Sequence, residues 1–189
     1  MKKPGPVPLP SPRRRRPIGP RVVLVGPMGA GKTAVGRALA RTWHLRFLDS
    51  DDAVEHLTGQ SVAEVFQTEG EAAFRQVEHR AIRRSLASHR GVLALGGGAL
   101  TNPDTAARLE VYRAAGGQVV FLDVSVEQAF ARIGSLAERP LLAGPNPQQQ
   151  WLSLAEQRRP AWQAAATLTV QTDHLTPIKA AQLITTRLA

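Results

Sequence analysis

Residues 26–33 read Gly26-Pro27-Met28-Gly29-Ala30-Gly31-Lys32-Thr33. This is the G-x-x-x-x-G-K-[ST] spacing of a phosphate-binding loop. Before it stands Val22-Val23-Leu24-Val25, a short apolar run that suits a strand. After it Val35, Leu39 and Trp43 recur at helical spacing. A Gly-rich turn beside a surface lysine would not bring strand, spacing and Lys-Thr together. Glycines let the backbone curl so that successive N–H groups face phosphate oxygens. A helix starting near Gly31 adds the positive end of its dipole. Within this loop Gly29, Ala30, Gly31, Lys32, Thr33 and Ala34 are the expected nucleotide contacts. Lys32 is placed to reach the outer phosphates, and the Thr33 hydroxyl to hold Mg²⁺. The loop predicts a nucleoside triphosphate site.

The rest of the composition fits an enzyme-sized α/β unit. At 189 residues and 43% apolar content the chain can bury one core. No run approaches the roughly 18 apolar residues of a membrane span, and the N-terminus has no apolar leader. Cysteine is absent, which excludes a disulfide framework and a thiol mechanism and fits a cytoplasmic setting. The net charge of +9 is concentrated at one end. Residues 1–20 hold six of the 24 Lys and Arg residues, including Arg13 to Arg16, and none of the acids. That stretch is dense in proline and has little to bury, so it reads as a disordered tail. Four arginines could attract nucleic acid or anionic lipid, but a solvated extension is the simpler reading. Organellar transit peptides are Ser-rich and helical, unlike this one.

Along residues 21–188 short apolar runs alternate with helical patterns. Strands are expected at 21–25, 45–48, 92–95, 118–124 and 167–170, and helices near 31–43, 70–88, 104–114, 126–133, 148–165 and 177–188. Such alternation implies an α/β fold, a parallel five-stranded sheet flanked by helices, with ligands beyond the carboxyl ends of the strands. Residues 50–90 form a helical excursion fit to cover a substrate, and 135–147, rich in Gly and Pro, read as a mobile lid.

Phe47-Leu48-Asp49-Ser50-Asp51 ends the second strand. Two carboxylates two apart on an extended segment face one side. One can help hold Mg²⁺ and the other can accept a hydrogen bond from a substrate hydroxyl. Ser50 or Asp51 also suits a helix N-cap. Farther on, Arg75 and Glu78 share a helix face, with Glu71 four residues before Arg75; a surface ion pair is the plain reading. Gly96-Gly97-Gly98 lets backbone approach a ligand closely.

Together these features resemble the shikimate kinases. The resemblance rests on the 26–33 loop with Met28, Phe47-Leu48-Asp49-Ser50-Asp51, Gly70-Glu71 with Phe74-Arg75 and Glu78, Gly96 to Gly98, Arg139-Pro140-Leu141-Leu142, and Arg158-Arg159-Pro160. It implies a P-loop kinase domain over residues 21–189 that transfers phosphate from ATP, with Mg²⁺, to the 3-hydroxyl of shikimate. It implies that Asp51 accepts a hydrogen bond from that hydroxyl. Arg75, Arg158 and the backbone of Gly96, Gly97 and Gly98 would hold the acceptor, and Asp49 with Thr33 would support the metal. Arg139 would reach the phosphates from the lid, so that Lys32, Asp51 and Arg139 form the catalytic set. Arg132 and Pro177 would flank the adenine. Trp162 and Leu95 depart from the common pattern without removing a reacting group, and Asp123 is read as structural. The expected partners are ATP and shikimate only, with no membrane, no nucleic acid beyond the tail, and a monomer. The alternatives are a gluconate-type kinase and a catalytically silent nucleotide-binding module.

Overall fold

The computed structural model describes residues 19–134, 140–142 and 144–189. Five short strands form one sheet: β1 (Val22–Val25), β2 (Phe47–Asp49), β3 (Val92–Ala94), β4 (Val119–Asp123) and β5 (Leu168–Gln171). Their order is β2-β3-β1-β4-β5, and every pairing is parallel. Val23 lies between Leu93 and Val119, and Val120 lies beside Leu168. Such a sheet is covered on both faces, so its central strands are apolar throughout and not alternating. In β1, Val22, Val23 and Leu24 are fully buried. Each such side chain contributes about 1.5–3 kcal/mol by leaving water.

Among the described residues seven α-helices complete the layers: α1 (Lys32–Thr42), α2 (Ser50–Thr58), α3 (Val62–Ser88), α4 (Pro103–Ala114), α5 (Val126–Arg132), α6 (Pro147–Ala165) and α7 (Pro177–Arg187). α1 packs against α7, while α6 packs against α4 and α5. Local chemistry sets most starts. Ser61 and Glu64 form a capping box for α3. Asn102 caps α4, with Pro103 in its first turn, and Thr176 caps α7, with Pro177 likewise. The N-cap of α1 is Gly31, and no side chain caps this helix. Its first amides are therefore left for something else to bind.

All crossovers in a parallel sheet return the chain to the same end. Gly26, Ser50, Leu95, Val124 and Thr172, which follow the five strands, all emerge along one edge. α2 and α3 stand over this edge and hold a small apolar cluster of their own, Val54, Val65, Phe74, Val77 and Ala81.

Several expectations need correction. The helix expected from residue 70 begins at Val62, and its two parts join at a kink where Gly70 has φ 80° and ψ 173°. Only glycine enters that region without strain. The capping residue of α2 is Asp49, whose carboxylate accepts from the Asp51 N–H at 3.3 Å, and not Ser50 or Asp51. Asp51 stands in the first turn of α2, so a strand-to-helix junction, and not an extended strand, sets its direction. The tail boundary also moves: Gly19 and Pro20 are buried, and the Tyr112 hydroxyl donates to the Pro20 carbonyl at 3.0 Å. Residues 1–18, and 135–139 with 143 of the expected lid, lie outside the described residues. Within that lid, Pro140–Leu142 form a 3₁₀ turn, and α6 starts at Pro147.

Gly26 has φ 140°, and a Cβ there would stand 2.3 Å from the Leu122 carbonyl oxygen. Gly116 has φ 89° with nothing within 4 Å of its Cβ position. Gly116→Ala should therefore cost only the backbone strain of about 1–2 kcal/mol, and Gly26→Ala should cost that plus displacement of β4. Thermal unfolding checks this at about 2–4 °C per kcal/mol for a chain of this size. The fall in Tm should be at least twice as large for Gly26→Ala, and equal falls would contradict the packing described.

Candidate active site

Two cavities open along the carboxyl edge. The larger, about 470 Å³, is lined by residues 28–35 of the loop and α1, with Asp49, Asp51, Arg132, Thr172 and Pro177. The smaller, about 130 Å³, lies under α2 and α3 and is lined by Val62, Phe66, Phe74, Arg75, Glu78 and Arg158 among others. Met28, Asp51, Gly96 and Gly97 belong to both, so the cavities meet at one place.

The large cavity is basic on its loop side. Lys32 Nζ donates to the Gly26 and Pro27 carbonyls, each at 2.8 Å. Thr33 Oγ1 donates to Asp49 Oδ2 at 2.9 Å. A hydroxyl and a carboxylate oxygen this close can share one hard cation. No group of three His, Cys, Asp or Glu side chains among the described residues could cage a metal. An ion here must therefore complete its shell from phosphate and water, as Mg²⁺ does. Arg132, at the end of α5, donates to the Thr172 carbonyl at 2.6 Å, to Thr172 Oγ1 at 3.0 Å and to the Asp173 carbonyl at 3.1 Å.

In the small cavity Arg75 Nη1 donates to Glu78 Oε2 at 2.6 Å and Arg75 Nη2 to Glu71 at 3.2 Å. Glu78 is only 1% exposed, so this is no surface pair. Burial pushes its carboxyl up, against the opposing pull of Arg75. Arg158, 8% exposed, faces the same space. It makes no salt bridge among the described residues, and its Nε has no partner. Burial and the like charge of Arg75 weigh against its charged form, and Glu71 and Glu78 pull the other way. A buried guanidinium with no carboxylate in ion-pair contact is costly. This cavity is built to receive an anion.

Asp51 sits at the junction. It touches solvent through the cleft mouth, but protein crowds its other sides, and loss of hydration with the nearby Asp49 and Glu78 carboxylates pushes it up to about 7. Lys32 and Arg75 pull the other way. The Ser50 hydroxyl accepts from the Gly96 N–H at 2.8 Å and ties α2 to the glycine triplet. Two of those glycines make room for charge. A Cβ on Gly96 would stand 2.4 Å from Glu78 Oε1, and one on Gly98 2.3 Å from Arg75 Nη2.

Every expected site residue that is described lines one or both cavities: Gly29, Ala30, Gly31, Lys32, Thr33, Ala34, Asp49, Arg132 and Pro177 the larger, Arg75, Gly98 and Arg158 the smaller, and Asp51, Gly96 and Gly97 both. Arg139 lies outside the described residues. Leu95 is buried beside the loop, and Trp162 is buried with its ring 5.7 Å from that of Phe121. Asp123 pairs with Arg159 and caps its own neighbour's N–H, a structural use. Sequence reading missed Thr172 and Trp151. Thr172 follows β5 and so obeys the strand-end rule that found the others. Trp151 lies 123 positions from the loop residue it bonds, and no local pattern points to it.

The sequence model of shikimate kinases matches residues 28–189. This chain belongs to the shikimate kinase family. A shikimate kinase of Streptomyces coelicolor is 48% identical over 163 residues, 86% of this chain and 92% of that protein. The solved shikimate kinase of Acinetobacter baumannii in complex with shikimate has a TM-score of 0.84 at 36% identity, covering 92% of this chain and 94% of that one. A gluconokinase of Sinorhizobium meliloti, at TM-score 0.59 and 24% identity over 93% of this chain and 95% of that one, shares the fold alone. The kinase is thus an ATP-dependent phosphotransferase, which removes the silent module from consideration.

In Gly98→Ala the atom displaced is the far end of the flexible Arg75 side chain and not backbone. The variant should fold, with some loss of Tm from the disturbed Arg75–Glu78 pair, and bind its acceptor about ten-fold or more weakly, because Arg75 is displaced. Calorimetry should find ADP affinity within about two-fold of wild type. An equal loss for ADP would show that the triplet serves the nucleotide side.

Proposed function

We propose that this kinase transfers the γ-phosphoryl group of ATP to the 3-hydroxyl of shikimate, giving shikimate 3-phosphate and ADP. The observation that carries the reading is the buried Arg158, which forms no ion pair among the described residues, beside Arg75 in a cavity that meets a phosphate-binding loop at Asp51. Planar guanidinium groups suit a carboxylate, which they bind bidentately. Val62, Phe66 and Phe74 supply the apolar wall that a carbon ring needs.

The residues divide the work by position. The loop amides and the start of α1 take the phosphates, and Lys32 stands at the rim where it can exchange loop carbonyls for phosphate oxygens. Arg132 and Pro177 flank the base. Thr33 and Asp49 hold Mg²⁺, which when bound neutralises charge on the phosphates. The acceptor oxygen attacks the γ-phosphorus, the bond to the β,γ-bridging oxygen breaks, and the hydroxyl proton leaves late in a loose transition state. Asp51 orients that hydroxyl by accepting its hydrogen bond. It takes the proton as the O–P bond forms and passes it to solvent at the cleft mouth. Arg139 adds a cation at the phosphates, an assignment that rests on the sequence. The 50–90 region covers the acceptor and 135–147 the nucleotide, within one monomeric domain that follows the basic tail. A cytoplasmic setting fits the absence of cysteine; no helix among the described residues is long and apolar enough to cross a membrane.

ADP release should require both shikimate and Mg²⁺, at about 1–100 s⁻¹, with gluconate inert. Arg158→Ala should weaken shikimate binding by about 2–5 kcal/mol, the usual loss when a buried charged contact loses one partner, and leave ATP affinity nearly unchanged. Release without shikimate, or equal release with gluconate, would overturn the acceptor assignment.

A further inference from the structure

Trp151, in the second turn of α6, is 3% exposed, and its indole Nε1–H donates to the Met28 carbonyl at 3.1 Å. The Met28 carbonyl and the Gly29 N–H belong to one peptide unit. In a trans peptide these two groups point in opposite directions from one rigid plane, and the described residues hold no cis bond. A donor that holds the carbonyl outward therefore turns the Gly29 N–H inward. Gly29 lines the nucleotide cleft, and its N–H finds no acceptor among the described residues. Around it the Gly26 and Pro27 carbonyls accept from Lys32. The Gly29 carbonyl accepts from Arg132 at 3.4 Å, and the Ala30 carbonyl from Thr172 Oγ1 at 3.3 Å. Of these donors Trp151 alone reaches the loop from α6, the helix that also carries Arg158 seven residues on.

We propose that Trp151 is a positioning residue for phosphate binding: its indole N–H fixes the Met28–Gly29 peptide so that the Gly29 amide is aimed at a phosphate oxygen before ligand arrives. Pre-aimed amides cost no reorganisation when the phosphate binds or its charge moves. The inference rests on the nucleotide reading of the large cleft. The packing contribution of the ring is separate from that of the N–H. Trp162, also on α6 and buried against Phe121, makes no hydrogen bond to a loop carbonyl among the described residues and offers a matched control.

The experiment compares wild type, Trp151→Phe and Trp162→Phe by calorimetry with Mg²⁺–ADP and with shikimate, alongside kcat. ADP binding by the wild type tests the nucleotide reading on its own. Given that binding, Trp151→Phe should hold ADP about ten-fold more weakly with a lower kcat and unchanged shikimate affinity, while Trp162→Phe loses Tm alone. ADP affinity within about two-fold of wild type in Trp151→Phe, or an equal ADP loss in Trp162→Phe, would overturn the proposal. Should Trp151→Phe not fold, ¹⁵N spectra of the wild type decide. The Gly29 amide should be among the resonances that move most on adding pyrophosphate, and a stationary Gly29 would overturn the proposal.

Discussion

A loop that turns its amides toward phosphate must send its carbonyls the other way, and each of them then needs a donor. In this chain the Gly26, Pro27, Met28, Gly29 and Ala30 carbonyls accept from Lys32, Trp151, Arg132 and Thr172. Those donors come from α1, α6, α5 and the turn after β5. The parallel sheet brings these elements to one edge, because each crossover returns the chain to the same end. Phosphate binding is thus a property of the whole edge, with the eight-residue motif as its visible part.

The second cavity obeys a different constraint. Glu78 and Arg158 are buried beside the half-buried Arg75, whose guanidinium pairs with both Glu78 and Glu71. Gly96 and Gly98 lack the Cβ atoms that would occupy the positions of Glu78 and Arg75. The kink at Gly70 comes five residues before Arg75 in α3. Arg158 forms no ion pair of its own among the described residues, so its guanidinium is the group left to receive an anionic ligand. Asp51, pushed up to about 7 at the junction of the two cavities, marks where the ligands would meet.

Much of this was legible in the sequence. The alternation of apolar runs and helical patterns matches the five strands of the sheet, and the loop, Asp51 and the glycine triplet all follow strands as expected, with Asp49 the last residue of β2. Local signals failed where two structures compete for the same residues. Asp49 ends a strand and caps a helix at once, so Ser50 and Asp51 looked like better caps than they are. The sequence pattern starts α3 at Gly70 because the glycine hides a helix that continues through a kink. The Arg75–Glu78 pair read as a surface pair, since an i, i+3 spacing says nothing about burial. Trp151 left no trace, because its partner is a backbone carbonyl and any residue at position 28 would supply one.

The claim that nucleotide and acceptor occupy separate cavities meeting at Asp51 is tested most directly by Asp51→Asn. The substitution keeps the shape and removes the carboxylate. Calorimetry with ATP and shikimate, read beside turnover, should find both ligands bound within a few-fold of wild type and kcat lowered by about two orders of magnitude or more, in the range of general acid–base contributions. A variant with unchanged kcat, or one in which ATP binding is lost along with shikimate binding, would contradict this arrangement.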